Sequence, residues 1–282
     1  MAHGFRSIKI WDVNTGTLVR EFSQQTFFIF KLIVLKNGYL ASGSSDGSIK
    51  IWNTDDGSLI QTLNGHNGVI YSFAILSNGY LASGSSDTTI KIWDTNNGIL
   101  IRSFGDSTTN ASTIFSLLVL PDGYLASGTE DSSIRIWNSD DGTLFQTYSG
   151  QSGKVTSLTL LKNGYLASGS SDGSIKIWNT VNGNLKTTLA SLTGTVTTLE
   201  VLDNGALVSG TSNFQIDPSS LAQSIYGSEF NSIKMWNVTD GYFFLKSLLI
   251  SNYLPIESLI SLPNGKLACG IFNEIAIIDT SY

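Results

Sequence analysis

LKNGYLASGSSDGSIKIWNT, residues 35–54, recurs letter for letter at residues 161–180, and looser copies run the length of the chain. Each copy holds two short runs of alternating apolar residues, joined by Asp-Gly and closed by tryptophan. Runs this short cannot bury their own apolar faces, so the copies must pack on one another.

Tryptophan marks the period: Trp11, Trp52, Trp93, Trp137, Trp178 and Trp236, then Ile278 in the aligned slot, at steps of 41, 41, 44, 41, 58 and 42 residues. All six tryptophans of the 282-residue chain lie in this one column, so residues 1–282 are expected to form a single repeat domain. A period of about 40 residues with only strand patterning predicts an all-β propeller rather than a helical solenoid.

Four strands are legible within a period. An inner strand such as residues 69–76 alternates apolar and small residues and turns at Asn-Gly or Asp-Gly, where a positive φ is required. The second strand reads YLASGS or a relative of it, and Asp46-Gly47 or Asp172-Gly173 makes the next hairpin, with Asp87-Thr88 and Asp131-Ser132 as variants lacking glycine. The third strand reads SIKIW, TIKIW, SIRIW or SIKMW, and a Gly-terminated turn leads to the outer strand, such as residues 59–63. β-Branched and aromatic residues at alternate positions favour strand over helix throughout.

Composition narrows the function. Sixteen Lys plus Arg against 22 Asp plus Glu leave a net charge of −6, with no basic stripe to displace counterions from phosphates, so nucleic acid is not expected as a ligand. Cys269 alone permits no internal disulfide framework, and the start of the chain shows no basic-then-apolar leader. The most apolar stretches, 27–35 and 242–250, are too short to span a bilayer as helices, and each holds a lysine. A soluble, cytoplasmic protein is expected.

With these residues in view, the chain resembles the WD-repeat family of β-propellers over almost its whole length. Trp11-Asp12 and Trp93-Asp94 carry the family's Trp-Asp pair, and Trp52, Trp137, Trp178 and Trp236 are followed by Asn. The resemblance implies four-stranded antiparallel blades and a hydrogen-bonded set of loop His, second-strand Ser or Thr, hairpin Asp and Trp. One unit supplies all four, His66, Ser83, Asp87 and Trp93; others keep Asp46 with Trp52, Asp131 with Trp137 and Asp172 with Trp178, each with its serine but without the histidine.

The chain begins in a third strand (7–11) and an outer strand (17–22), continues through five complete units, and ends with inner, second and third strands. Pairing 17–22 with the C-terminal three strands closes six blades and removes exposed edges, and this is the favoured expectation. The alternative is seven positions with incomplete terminal blades. The step of 58 places a 17-residue insert, FQIDPSSLAQSIYGSEF at 214–230, between the second and third strands of one unit. Asp217-Pro218 and Gly227 predict a short helix over about 218–226 with Leu221 and Ile225 on one face.

No catalytic constellation is legible. Two histidines and one cysteine do not build a His- or Cys-rich metal centre, and GSSDGS lies in a strand–turn–strand setting rather than a phosphate loop. No cofactor is predicted. Columns identical among blades serve the fold, so a partner site must use positions that differ. One such column lies five residues before the last leucine of each inner-strand run: Phe30, Tyr71, Phe115, Thr156, Thr197 and Glu257. Phe30, Tyr71 and Phe115, with Phe214, Leu221, Ile225 and Tyr226 of the insert, are the candidate partner-binding residues. As the resemblance implies, the expected function is a non-catalytic scaffold presenting one face to a protein or peptide. The hairpin carboxylates Asp46, Asp87, Asp131 and Asp172 are expected to make local hydrogen bonds, with a shared metal site as the alternative; two other functional readings remain open, a metal-dependent hydrolase or lyase using channel carboxylates and a ligand-sensing propeller of a larger multidomain protein. Partner identity and oligomeric state are not legible.

Overall fold

Alternation becomes strand wherever the computed structural model describes the chain: residues 7–12, 15–22, 27–105, 112–192, 194–212, 232–238, 242–249, 256–262, 266–271 and 274–279. All 25 elements among the described residues are strands. In the first sheet β1 (Ile8–Trp11) pairs with β2 (Leu18–Phe22). Five four-stranded antiparallel meanders follow, each in the order inner, second, third, outer. They are β3 (Ile29–Val34), β4 (Leu40–Ser44), β5 (Ile49–Trp52) and β6 (Leu59–Leu63); then β7 (Ile70–Ile75), β8 (Leu81–Ser85), β9 (Thr89–Asp94) and β10 (Ile99–Gly105). The third comprises β11 (Ile114–Val119), β12 (Leu125–Thr129), β13 (Ile134–Trp137) and β14 (Leu144–Tyr148). The fourth has β15 (Val155–Leu160), β16 (Leu166–Ser170), β17 (Ser174–Trp178) and β18 (Leu185–Ser191). The fifth has β19 (Thr195–Val201), β20 (Leu207–Ser212), β21 (Ser232–Asn237) and β22 (Phe243–Leu249). A three-stranded sheet, β23 (Ile256–Ser261), β24 (Lys266–Ile271) and β25 (Glu274–Asp279), ends the described chain. These are the blades of a propeller.

The described residues form seven sheets, the first of two strands and the last of three, so the blade count is six to seven. The favoured six-blade closure required the first outer strand to bond the C-terminal three strands. Instead β2 pairs with β1, Ile8 opposite Phe22 and Ile10 opposite Arg20. A hairpin between strands adjacent in sequence closes at less entropic cost than a pairing between chain ends. The chain forms two compact units, Met1–Thr129 with Arg135–Phe145, and Glu130–Ile134 with Gln146–Tyr282.

Small residues in the second strand explain how blades pack. LASGS is buried along its whole length in β4, β8 and β16. A Cβ on Gly43 would stand 2.7 Å from Ile70 Cγ2 and 2.9 Å from Phe73 Cζ, so only glycine admits the next inner strand. Gly84 meets Ile114 in the same way, and within the second unit Gly169 meets Val196 and Gly210 meets Ile256. The apolar clusters accordingly join one blade's second and third strands to the next blade's inner strand, as when Ala41, Ile49 and Ile51 gather with Ile70 and Phe73.

The turns from inner to second and from second to third strand are three-residue loops rather than two-residue ones. Gly38 N–H donates to Leu35 O at 3.0 Å, Gly38 has φ +85°, and Asn37 accepts from Tyr39 N–H through its side chain at 3.1 Å. Only the glycine needs the left-handed region; asparagine serves as an Asx acceptor. In the second-to-third hairpins Gly47 and Gly173 have φ +82°, and Thr88 stands in the same place at φ +70°. A β-branched residue held there costs about 1–2 kcal/mol. Thr88→Gly is therefore expected to raise the melting temperature by roughly 2–4 °C in scanning calorimetry; an unchanged or lower value would show that Thr88 sits without strain.

Candidate functional site

Three backbone hydrogen bonds show which loops lie together within a blade. Ser45 N–H donates to Phe28 O at 2.8 Å, Ser86 N–H to Val69 O at 2.9 Å, and Ser171 N–H to Lys154 O at 2.9 Å. The connection into each of these inner strands therefore rests on the hairpin between second and third strands, as the chain direction predicts.

The four residues expected to interact do so. Trp93 Nε1–H donates to Ser83 Oγ at 2.8 Å, Ser83 Oγ lies 2.7 Å from His66 Nε2, and His66 Nδ1 lies 2.8 Å from Asp87 Oδ2. The carboxylate can only accept, so Nδ1 carries a hydrogen. Asp87 also accepts from Asn67 N–H at 2.9 Å and from the Thr89 hydroxyl at 2.7 Å. Burial alone would raise its carboxyl pKa, but the hydrogen bonds from His66, Thr89 and Asn67 and the nearby histidine charge outweigh burial and hold it well below the usual carboxylate range.

The Trp–Ser bond recurs at Trp52–Ser42 (2.9 Å), Trp137–Ser127 (2.9 Å), Trp178–Ser168 (2.8 Å) and Trp236–Ser209 (3.2 Å). A histidine substitute escaped the sequence reading. Gln151, buried, stands 17 residues before Ser168, as His66 stands 17 before Ser83, and its Nε2–H donates to Ser168 Oγ at 2.5 Å. Counting back from each tryptophan's serine would have found it. The same offset reaches Leu192, buried among apolar residues, before Ser209; it also reaches Gln25 and Asn110, outside the described residues.

The variable column of the inner strands has a structural identity that periodicity did not reveal. Each of its members is the bulge residue of its strand: the register shifts between Ile29 and Lys31, Ile70 and Ser72, Ile114 and Ser116, Val155 and Ser157, Val196 and Thr198, and Ile256 and Ser258. A bulge releases one side chain from the pleat and re-aims it. In the first unit this brings Phe30, Tyr71 and Phe115 together. The Phe30 and Tyr71 ring centroids are 5.4 Å apart at 77°, and those of Tyr71 and Phe115 5.1 Å apart at 42°. All three rings are half-buried, and β7 lies between β3 and β11, so the row runs unbroken across three blades. Phe27 and Phe28, exposed where the chain enters β3, extend the aromatic character of that end.

In the second unit the same column is polar. The Thr156 hydroxyl bonds Val196 O and the Thr197 hydroxyl bonds Ile256 O, each clamping the next inner strand at its own bulge. Burial raises the carboxyl pKa of Glu257, the last member. Phe214, Leu221, Ile225 and Tyr226, with the helix expected over 218–226, lie outside the described residues.

The hairpin carboxylates are engaged locally. Asp46 Oδ1 accepts from the Ser48 hydroxyl at 2.7 Å, Asp131 Oδ1 from Ser133 at 2.7 Å and Asp172 Oδ1 from Ser174 at 2.6 Å. Among the described residues no three His, Cys, Asp or Glu side chains gather as a metal-binding group.

Strand order, the Trp–Ser–His–Asp network and the glycine-mediated blade contacts together define a β-propeller built of repeats. The family described as "WD domain, G-beta repeat" matches residues 16–53, 57–94, 98–138 and 142–179, more than half of the chain, and the chain belongs to that family. A chain in the "Crystal Structure of Mitotic Checkpoint Complex" is similar in fold, with a TM-score of 0.81 at 17% identity over 98% of this chain and 82% of that one. No curated protein matches the sequence.

Proposed function

We propose that this chain is a non-catalytic interaction scaffold whose row of Phe30, Tyr71 and Phe115 seats an extended peptide segment of a protein partner. WD-repeat propellers generally bind proteins, and the similar solved chain comes from a protein complex. One observation carries the more specific reading: three bulge positions in adjacent blades place aromatic rings in continuous contact, half out of the sheet. Rings fixed by their neighbours offer large apolar area with little side-chain entropy left to lose, as interface anchors do. Leu221, Ile225 and Tyr226 of the insert are proposed as a second contact for the same partner. Cys269 is buried among apolar residues, and burial pushes its thiol up to about 12, so it is held as an unreactive thiol.

Selection of a random peptide library against the protein, followed by titration calorimetry on the enriched sequences, tests the reading. Aromatic-rich peptides are expected, with Tyr71→Ala weakening them roughly 30-fold, the size of a central anchor. Selected peptides that bind Tyr71→Ala and the parent alike would place the site elsewhere.

A further inference from the structure

An asparagine followed by glycine can lose its side-chain ammonia, because glycine puts no Cβ in the path of its own backbone nitrogen toward the amide carbon. The reaction needs a glycine N–H that is not already bonded and an asparagine side chain free to turn toward it. Nine Asn-Gly pairs occur in the chain, eight of them among the described residues. Six of the eight meet neither condition. Gly38, Gly79, Gly164 and Gly205 N–H donate to the carbonyls of Leu35, Leu76, Leu161 and Leu202 at 2.9–3.0 Å. The asparagine before each of them accepts, through its side chain, the backbone N–H two residues on. Gly98 and Gly183 N–H donate to Asp94 O and Asn179 O at 2.9 Å, the Asn97 side chain donates to Asp94, and that of Asn182 accepts from Asn184 N–H.

The remaining two pairs, Asn64-Gly65 and Asn67-Gly68, share the connection between β6 and β7. Both asparagines are exposed, and among the described residues neither their side-chain amides nor the N–H groups of Gly65 and Gly68 make a hydrogen bond. The backbone separates them. Asn67 N–H donates to Asp87 Oδ2 at 2.9 Å and Val69 N–H to Ser86 Oγ at 2.8 Å, and Gly68 is pressed against Ser86, so the second pair is pinned on both sides. Asn64 and Gly65 carry no such tie, and ring closure there needs no bond to break first.

We propose that Asn64 is a site of spontaneous deamidation and isoaspartate formation, and that its product loosens the His66 network. The Gly65 nitrogen, having given its proton to a base in solvent, attacks Asn64 Cγ. The new N–Cγ bond closes a succinimide, the Cγ–Nδ2 bond breaks, and Nδ2 leaves as ammonia with a proton from water. Water then adds to either ring carbonyl: opening at Cγ yields aspartate, and opening at the main-chain carbonyl yields isoaspartate. In isoaspartate the main chain runs through Cβ and Cγ and is one carbon longer. That carbon has no slack to enter. Leu63 is buried in the core and His66 is held by Ser83 at 2.7 Å and Asp87 at 2.8 Å, with only Asn64 and Gly65 between them. Gly65 also lies against Trp93, since a Cβ there would stand 3.0 Å from Cη2. Lengthening this link therefore displaces His66 from its partners, and the change accumulates with the age of the molecule.

The folded protein, held at mildly alkaline pH and sampled over time, is digested and its peptides mapped by mass spectrometry with fragmentation that distinguishes isoaspartate. Asn64 is expected to convert roughly tenfold faster than any of the six turn pairs, each of which must first give up a hydrogen bond. In urea this preference should vanish. The aged protein should melt lower in step with its isoaspartate content, while Asn64→Gln, aged alongside it, should keep its melting temperature. Fresh Asn64→Asp, which adds the charge without the extra carbon, should melt with the parent. Conversion led by Asn67 or by a turn pair would overturn the assignment of the site. An aged protein rich in isoaspartate at 64 that melts like the fresh one, or a fresh Asn64→Asp that already melts low, would overturn the lengthening account.

Discussion

Replacing Gly84 by valine is expected to destabilise the protein by about 3 kcal/mol and to lower its melting temperature by roughly 6–12 °C. A Cβ at that position would stand 2.6 Å from Ile114 Cγ2 and 2.6 Å from Ser72 Oγ, both buried short side chains with no long flexible end to yield. The two γ-methyl groups of valine would force β8 away from β11 along the contact that joins their blades. Gly79, by contrast, meets only the far end of Lys36. Its φ of +91° makes valine there a local backbone fault, and the blade contact survives. Thermal melts of Gly84→Val and Gly84→Ala decide the matter: alanine should fall between parent and valine, and a valine variant that melts with the parent would refute the blade-packing account.

The second large effect concerns His66. Its side chain is fully buried and Asp87's nearly so, and removal of the imidazole leaves a carboxylate and a serine short of partners. His66→Ala should destabilise by about 3 kcal/mol, the usual result of breaking one side of a buried pair. His66→Gln should lose only about 1 kcal/mol, one hydrogen bond, because Gln151 already fills that position against Ser168 in a sister blade. The pH dependence has a definite sign. Asp87 is held below its ordinary value in the folded state, so its contribution is complete above about pH 4 and is lost as pH falls toward the folded value. Asp87→Asn should therefore flatten the acid limb of stability against pH measured by urea unfolding. An unchanged acid limb would mean that the His66–Asp87 bond does not stabilise the fold.

Much of this architecture is legible because it is repeated. The Trp column, the serine ten residues before it in four blades and the Asn-Gly or Asp-Gly turns all follow from period and alternation, and among the described residues each lies where expected. What was missed depends on geometry between repeats. Gln151 is hidden because an amide differs in type from imidazole while filling the same space. The bulges are hidden because a single unpaired residue leaves the apolar alternation on either side intact; the variable column could be seen, but not why it varies. The pairing of the first strand with β2 is not legible from edge removal, because local hairpin closure sets it.

The most direct test of the aromatic row as a binding surface is hydrogen exchange of the protein with and without a saturating selected peptide. Bulge amides lack a regular ladder partner and exchange readily when uncovered. The account predicts slowing confined to the segments around Phe30, Tyr71 and Phe115. Protection elsewhere, with exchange at those three bulges unchanged, would contradict it.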